Sequence, residues 1–173
     1  VQNVARSIQA LAGLAGRWIP LHFEEGFFAE RSLVVTEGED SFRLHGIVDR
    51  IDQDPDGRIR VIDYKTAGPS SYGKRTLEQG EKLQLPLYAL AARDALNLGQ
   101  PADGFYWHIR HAEPSDLHLA DYGPQEAIDT ALRYAWVAVA GARQGQFRPT
   151  PPSGGCPSFC PAVAFCWQYR ARR

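Results

Sequence analysis

Residues 46 to 66 read GIVDRIDQDPDGRIRVIDYKT, and the way this stretch doubles back on itself decides the fold. Phe42 to Ile51 is rich in β-branched and aromatic residues and reads as a strand, as does Arg58 to Tyr64. Between them, Asp54-Pro55-Asp56-Gly57 has the chemistry of a tight turn: proline presets the first corner of a type I turn, and glycine takes the left-handed position after it. That turn sets Asp54 opposite Arg58, which carries Asp49 opposite Asp63 and Ile47 opposite Lys65. Strand side chains alternate between faces, so Asp63 and Lys65 point the same way. Two carboxylates facing each other across a pair repel, and Val48, Ile51, Val61 and Ile62 assign the hairpin to the core, where an uncompensated charge is costly. A hard divalent cation resolves both problems; Mg²⁺ in particular needs only one or two carboxylates beside water and phosphate oxygens. Lys65 is then placed to hold a water or to stabilise charge developing on a phosphoryl group.

An Asp-x-Lys by itself arises by chance about once per few hundred positions, and its plainest reading is an exposed ion pair at a strand end. Its surroundings raise its weight. Asp49 faces it, and Gln84 and Tyr88 lie one turn apart on the next helix, which spans Leu83 to Leu98 with Leu83, Leu87, Leu90, Ala91 and Ala95 inward. Pro86 falls early enough in that helix to be tolerated. Working outward, the spacing of Ile8, Leu11, Leu14, Ala15 and Trp18 predicts a helix over residues 4 to 19, stopped by Pro20. Two β-like stretches follow, near Leu21 to Phe28 and Ser32 to Thr36, then the polar turn Glu37 to Asp40. Lys65 to Gly80 reads as a polar loop. Phe105 to Arg110 is a strand, with Asp116 to Ala120 as its candidate partner, and Pro124 opens a helix to about Ala142 with Ile128, Ala131, Leu132, Ala135 and Val139 inward. The order is one helix, a β-meander, a helix, a strand, a helix and a cysteine segment, with no internal repeat.

Composition is that of an ordinary globular chain: 173 residues, 44% hydrophobic, 23% charged, with no apolar run long enough to span a bilayer. Without a secretory leader pattern, the expected setting is cytoplasmic, with no membrane partner. Net charge is -1, yet from Thr130 onward there is no Asp or Glu while six arginines occur. A positive end on an acidic body suits a polyanion, although a solvated arginine-rich tail has the same signature. Residues 147–173 form a tail distinct from a core of residues 1–146: three prolines and two glycines precede Cys156, Cys160 and Cys166, the chain's only cysteines. Three thiols within eleven residues make no disulfide framework and point instead to metal. Zinc with a histidine as fourth ligand is one reading of them, and small buried hydrophobes in an aromatic tail another.

At these residues the chain resembles the RecB-like branch of the PD-(D/E)XK nuclease superfamily. GIVDRID (46–52) looks like its second motif, VIDYKT (61–66) its third, and QLPLY (84–88) its Q-x-x-x-Y motif, with the resemblance running from about Trp18 to the C-terminus. It implies a mixed α/β, restriction-endonuclease-like αβββαβ core with a C-terminal helix and a cysteine-rich tail. It further implies Mg²⁺ or Mn²⁺ held by Asp49, Asp63 and the backbone carbonyl of Tyr64, with Lys65 near the attacking water and Gln84 and Tyr88 bordering a DNA channel. Cys156-x3-Cys160-x5-Cys166 looks like the C-terminal triplet of a four-iron iron-sulfur staple, which requires four thiolates. The expected fourth cysteine and the family's first-motif histidine lie upstream of Val1; His22 and His45 are poor matches for the latter. The activity so implied is DNA phosphodiester hydrolysis in a repair or recombination protein, alongside a helicase domain or subunit. A metal-free DNA-binding module of the same fold and a zinc-stapled interaction domain are the alternatives.

Overall fold

The computed structural model describes residues 2–151 and 155–170. The chain divides into two compact units, Val1–Trp136 and Val137–Arg173. The first contains helix α1 (Gln2–Gly13), strands β1 (Ile19–Phe27), β2 (Leu33–Glu37), β3 (Asp40–Leu44), β4 (Gly46–Gln53) and β5 (Ile59–Lys65), helices α2 (Lys74–Glu78) and α3 (Gln84–Asp94), strands β6 (Pro101–His108) and β7 (Glu113–His118), and the short helix α4 (Leu119–Tyr122). The last helix, α5 (Pro124–Arg143), starts in this unit.

The β4–β5 hairpin forms as its turn dictates. Asp54 N–H donates to the Arg58 carbonyl at 2.9 Å, Gly57 takes φ +78°, and Asp54 Oδ1 accepts the backbone N–H groups of Asp56 and Arg58. The register then runs Gln53 to Ile59, Asp52 to Arg60, Ile51 to Val61 and Arg50 to Ile62, in step with the sequence expectation. Five strands make the main sheet in the order β1-β4-β5-β6-β7, and only β5 and β6 run parallel. A parallel pair needs a crossover, and α2 and α3 supply it. As the central strand, β5 is covered on both faces, so Ile59 to Asp63 are all buried. Ile51, Ile59, Val61 and Tyr106 pack with Leu85, Ala89 and Ala92 of α3, while Ile62, Phe105 and Trp107 meet Leu11 of α1. Under α1, the wholly buried Asp52 takes Arg50 and Arg60, each at 2.6 Å, and Arg60 lies against the rings of Trp18 and Phe105.

Four expectations are corrected. The first helix ends at Gly13 rather than residue 19, since glycine is a poor helix former and Gly16 turns the chain at φ +53°; Pro20 lies inside β1. The stretch from Phe42 to Ile51 is two strands, parted at His45: β3 pairs with β2 in a separate two-stranded sheet, whereas β4 joins the main one. The loop from Lys65 to Gly80 contains α2. On α3 the deepest positions are Leu85, Ala89, Ala91 and Ala92, with Leu83, Leu87 and Ala95 only partly covered, because the helix is enclosed over most of its girth.

The second unit holds the rest of α5 and a chain of tight turns from Pro157 to Tyr169. Cys156 is buried and its N–H donates to the Arg170 carbonyl at 2.5 Å; Cys160 and Cys166 are half-buried, and all three are free thiols. Among the described residues no helix is long and apolar enough to cross a membrane.

Candidate active site

Asp63 and Lys65 leave the same side of β5 at its carboxyl end, where the parallel pair with β6 also ends. Such an end of a parallel strand pair is a usual place for ligands in α/β sheets. Asp63 is 1% exposed, and its Oδ2 stands 2.5 Å from Lys65 Nζ. Beyond that ion pair, the buried Oδ2 has no hydrogen-bond partner among the described residues. Burial pushes the Asp63 carboxyl above the usual carboxylate range; Lys65 partly offsets this, and the charge of Asp49 pushes the same way as burial.

Asp49 sits one residue beyond the last laddered pair, Arg50 with Ile62. Its Oδ2 accepts the Tyr64 N–H at 2.8 Å. Hydrogen-bonded pairs alternate along an antiparallel ladder, so a continued ladder would have given that N–H to a main-chain carbonyl of β4. The Asp49 side chain takes over that bond, which fixes its carboxylate at the point where β4 parts from β5.

From the other side comes the first turn of α3. Lys65 Nζ donates to Gln84 Oε1 at 2.9 Å, and Gln84 Nε2 donates to the Tyr88 hydroxyl at 2.7 Å. Tyr88 in turn meets Phe27 edge-on, with ring centroids 6.0 Å apart. Gly46 makes this packing possible, since a Cβ there would lie 2.8 Å from Phe27 Cζ and 3.3 Å from Tyr88 Cε1. The structure thus joins Asp63, Lys65, Gln84 and Tyr88 in one contact chain, with Asp49 close enough for its charge to act on Asp63.

Two residues on this side of the sheet have no counterpart in the sequence reading. Tyr106 lies beside Asp63, and His108 beside Lys65, in the parallel register. His108 is fully buried, its Nδ1 is 2.7 Å from the Ala67 carbonyl, and its Nε2 has no hydrogen-bond partner among the described residues. Both fall within FYWHIR, where only the parallel pairing, a non-local feature, reveals which face they share with Lys65.

Other expected groups lie apart. His22 pairs with Glu25 at 3.2 Å and His45 is exposed. The metal readings of Cys156, Cys160 and Cys166 gain no support: among the described residues no three His, Cys, Asp or Glu side chains are arranged to hold an ion. A groove of about 510 Å³ lies on the opposite face of the sheet, lined by Val4, Ile8, Leu11, Phe23, Trp107 and the side chain of Tyr64. It is apolar and contains none of the carboxylate site's charged groups.

The family model of the PD-(D/E)XK nuclease superfamily matches residues 2–167. The chain belongs to that superfamily. Its mixed five-stranded sheet with flanking helices is the restriction-endonuclease-like fold; members of the superfamily are generally nucleases that hydrolyse nucleic acid with a metal, typically Mg²⁺ or Mn²⁺. No curated protein matches the chain.

Proposed function

We propose that this chain is a RecB-like deoxyribonuclease domain that hydrolyses DNA phosphodiesters with Mg²⁺ or Mn²⁺, within a repair or recombination protein that also carries or recruits a helicase. One observation supports this above the others: a buried, incompletely satisfied carboxylate, Asp63, beside Lys65 and Asp49 at the open end of the central strand. A protein has little reason to bury an under-compensated carboxylate unless something else completes it. Two carboxylates suit Mg²⁺, so Asp49 and Asp63, with the Tyr64 carbonyl, would hold the ion. Bound there, the metal would supply Lewis-acid polarisation of the phosphate and neutralise its charge. Lys65 Nζ, held between Asp63 and Gln84, stabilises charge building on the phosphoryl oxygens and orients a water for in-line attack. Gln84 and Tyr88 border the DNA path. The exposed Arg148 and Arg170, with Phe159 and Trp167 at 85% and 78% exposure, add a positive, stacking surface in the second unit.

The cysteine segment does not fit a metal as it stands. A four-iron cluster needs four thiolates, the sequence has three, and among the described residues none of them belongs to a group arranged to hold an ion.

Lys65→Ala should lower Mg²⁺- or Mn²⁺-dependent cleavage of linear DNA by a factor of about 10² or more while leaving DNA binding near that of the wild type, and, by stranding the buried Asp63, it should lower the melting temperature near pH 7 without unfolding the chain. Cleavage by Lys65→Ala at the wild-type rate would show the chemistry to be misassigned. A second reading, a DNA-binding module without turnover, draws on the finding that no three potential ligands converge among the described residues. Tight DNA binding by the wild type without cleavage in either metal would favour it.

A further inference from the structure

We infer that Tyr106 is a positioning residue for Lys65, acting through the first turn of α3. This rests on the nuclease reading above for its consequence in catalysis, though not for its geometry. A helix begins with backbone N–H groups that have no partner inside the helix. At α3 the residue before the first turn is Leu83, which offers no side-chain cap. Tyr106 reaches across from β6 instead: its hydroxyl accepts the Leu85 N–H at 3.2 Å and donates to the Lys82 carbonyl at 3.4 Å. A strand residue thereby caps a helix from outside.

Leu85 directly follows Gln84, whose Oε1 receives Lys65 Nζ. The capped turn therefore carries the group that orients the lysine. The same tyrosine approaches Lys65 from below, with Nζ 5.5 Å from the centroid of its ring. Tyr106 is 1% exposed and tilts against Tyr72 with centroids 4.7 Å apart, so neither ring nor hydroxyl is free to swing. Core filling alone would be served by phenylalanine, without the cost of burying a hydroxyl. Both partners of that hydroxyl lie at the start of α3, which ties its presence to the placement of that turn. One rigid side chain fixes two arms of the site, the lysine by its ring and the glutamine by its hydroxyl.

Tyr106→Phe keeps the ring and the volume and removes only the cap, and NMR can read the ε-methylene signal of Lys65 directly in the metal-free protein. Tyr106→Phe should shift that signal in the same sense as Gln84→Ala, and the double variant should shift it no further than the larger single change. With Mn²⁺ and saturating duplex DNA, kcat should fall roughly tenfold with KM within about twofold, as expected of misplaced rather than unbound reactants. The double variant should then be no slower than the slower single. A Lys65 signal in Tyr106→Phe identical to wild type, or rate losses that multiply, would overturn the inference and leave an ordinary core tyrosine. In the wild type itself the Leu85 amide should exchange at least tenfold more slowly than an exposed amide; unprotected exchange there refutes the cap without any variant. If the wild type cuts no DNA, the nuclease reading fails while the lysine signal and the amide still decide the role of Tyr106.

Discussion

Gly46→Ala tests the packing that places the site more directly than removal of a charged group. In the β1–β4 pairing Gly46 lies opposite Phe27, whose ring covers the space a side chain would fill. An added Cβ would come 2.8 Å from Phe27 Cζ, 3.0 Å from Cε1 and 3.3 Å from Tyr88 Cε1. Ordinary carbon contacts are about 3.5 to 4.0 Å, so the nearest atom must yield by roughly 0.7 Å or more. Phe27 is 2% exposed and has little room to retreat, which passes part of the displacement to Tyr88, the half-buried partner at the rim. Overpacking of this kind costs about 1 to 3 kcal/mol; for a chain of this size each kcal/mol lowers the melting temperature by roughly 2 to 4 °C. Thermal melting followed by circular dichroism measures the first effect, and DNA cleavage at a temperature well below the melt measures the second. Cleavage should fall severalfold as Tyr88 is pushed off Gln84. Phe27→Leu in the same chain should recover part of both losses by vacating the clash, a non-additivity expected only of residues in contact. A Gly46→Ala protein melting within about 1 °C of wild type would refute this account of why glycine stands there.

Two further outcomes follow from the charges. Asp52→Ala strands the buried Arg60 and the half-buried Arg50 without their shared carboxylate, and should cost about 3 to 5 kcal/mol in urea unfolding; a loss under about 1 kcal/mol would mean that water already compensates the arginines. Asp63→Asn should abolish cleavage yet raise stability by about 0.5 to 2 kcal/mol near pH 7. Because the Asp63 pKa is raised on folding, its charge penalises the native state above that pKa, and the penalty vanishes below the unfolded carboxyl value of about 3.9. The gain should therefore shrink as pH falls through this range, and an equal gain at pH 3 and pH 7 would contradict the assignment.

What could be read from the sequence was what local chemistry decides. The turn from Asp54 to Arg58 sets its own geometry, so the β4–β5 register followed from a few residues. The break at His45 could not be read in this way. Residues 42 to 51 are continuously β-prone, and what divides them is competition between β2 and the main sheet for partners. Gly13 and Gly16 did carry the signal that ends α1, but Pro20 is the stronger breaker on paper; β1 accommodates it beside the register shift between Pro20 and His22. On α3 the alanines blur the apolar stripe, so periodicity indicated a helix without telling which side lay deepest.

At the site the same division holds. Asp63 and Lys65 share a face by strand alternation alone, and Gln84 and Tyr88 by helical spacing, so each pair was legible separately. Their meeting depends on the crossover that returns the chain as β6 parallel to β5, and nothing local encodes the register that sets Tyr106 beside Asp63 and His108 beside Lys65. The two kinds of information meet at Asp63. Its neighbours Ile59, Val61 and Ile62 specify a buried central strand, and that burial makes the carboxylate expensive, as its raised pKa records. A sequence chosen only for stability would place an apolar residue there. Keeping the charge, fixing Asp49 on the Tyr64 amide beside it and building a lysine and a capped helix around it concentrates the local rule-breaking of this fold at one strand end, which is where the proposed nuclease function needs stability to be surrendered for a metal and a phosphate.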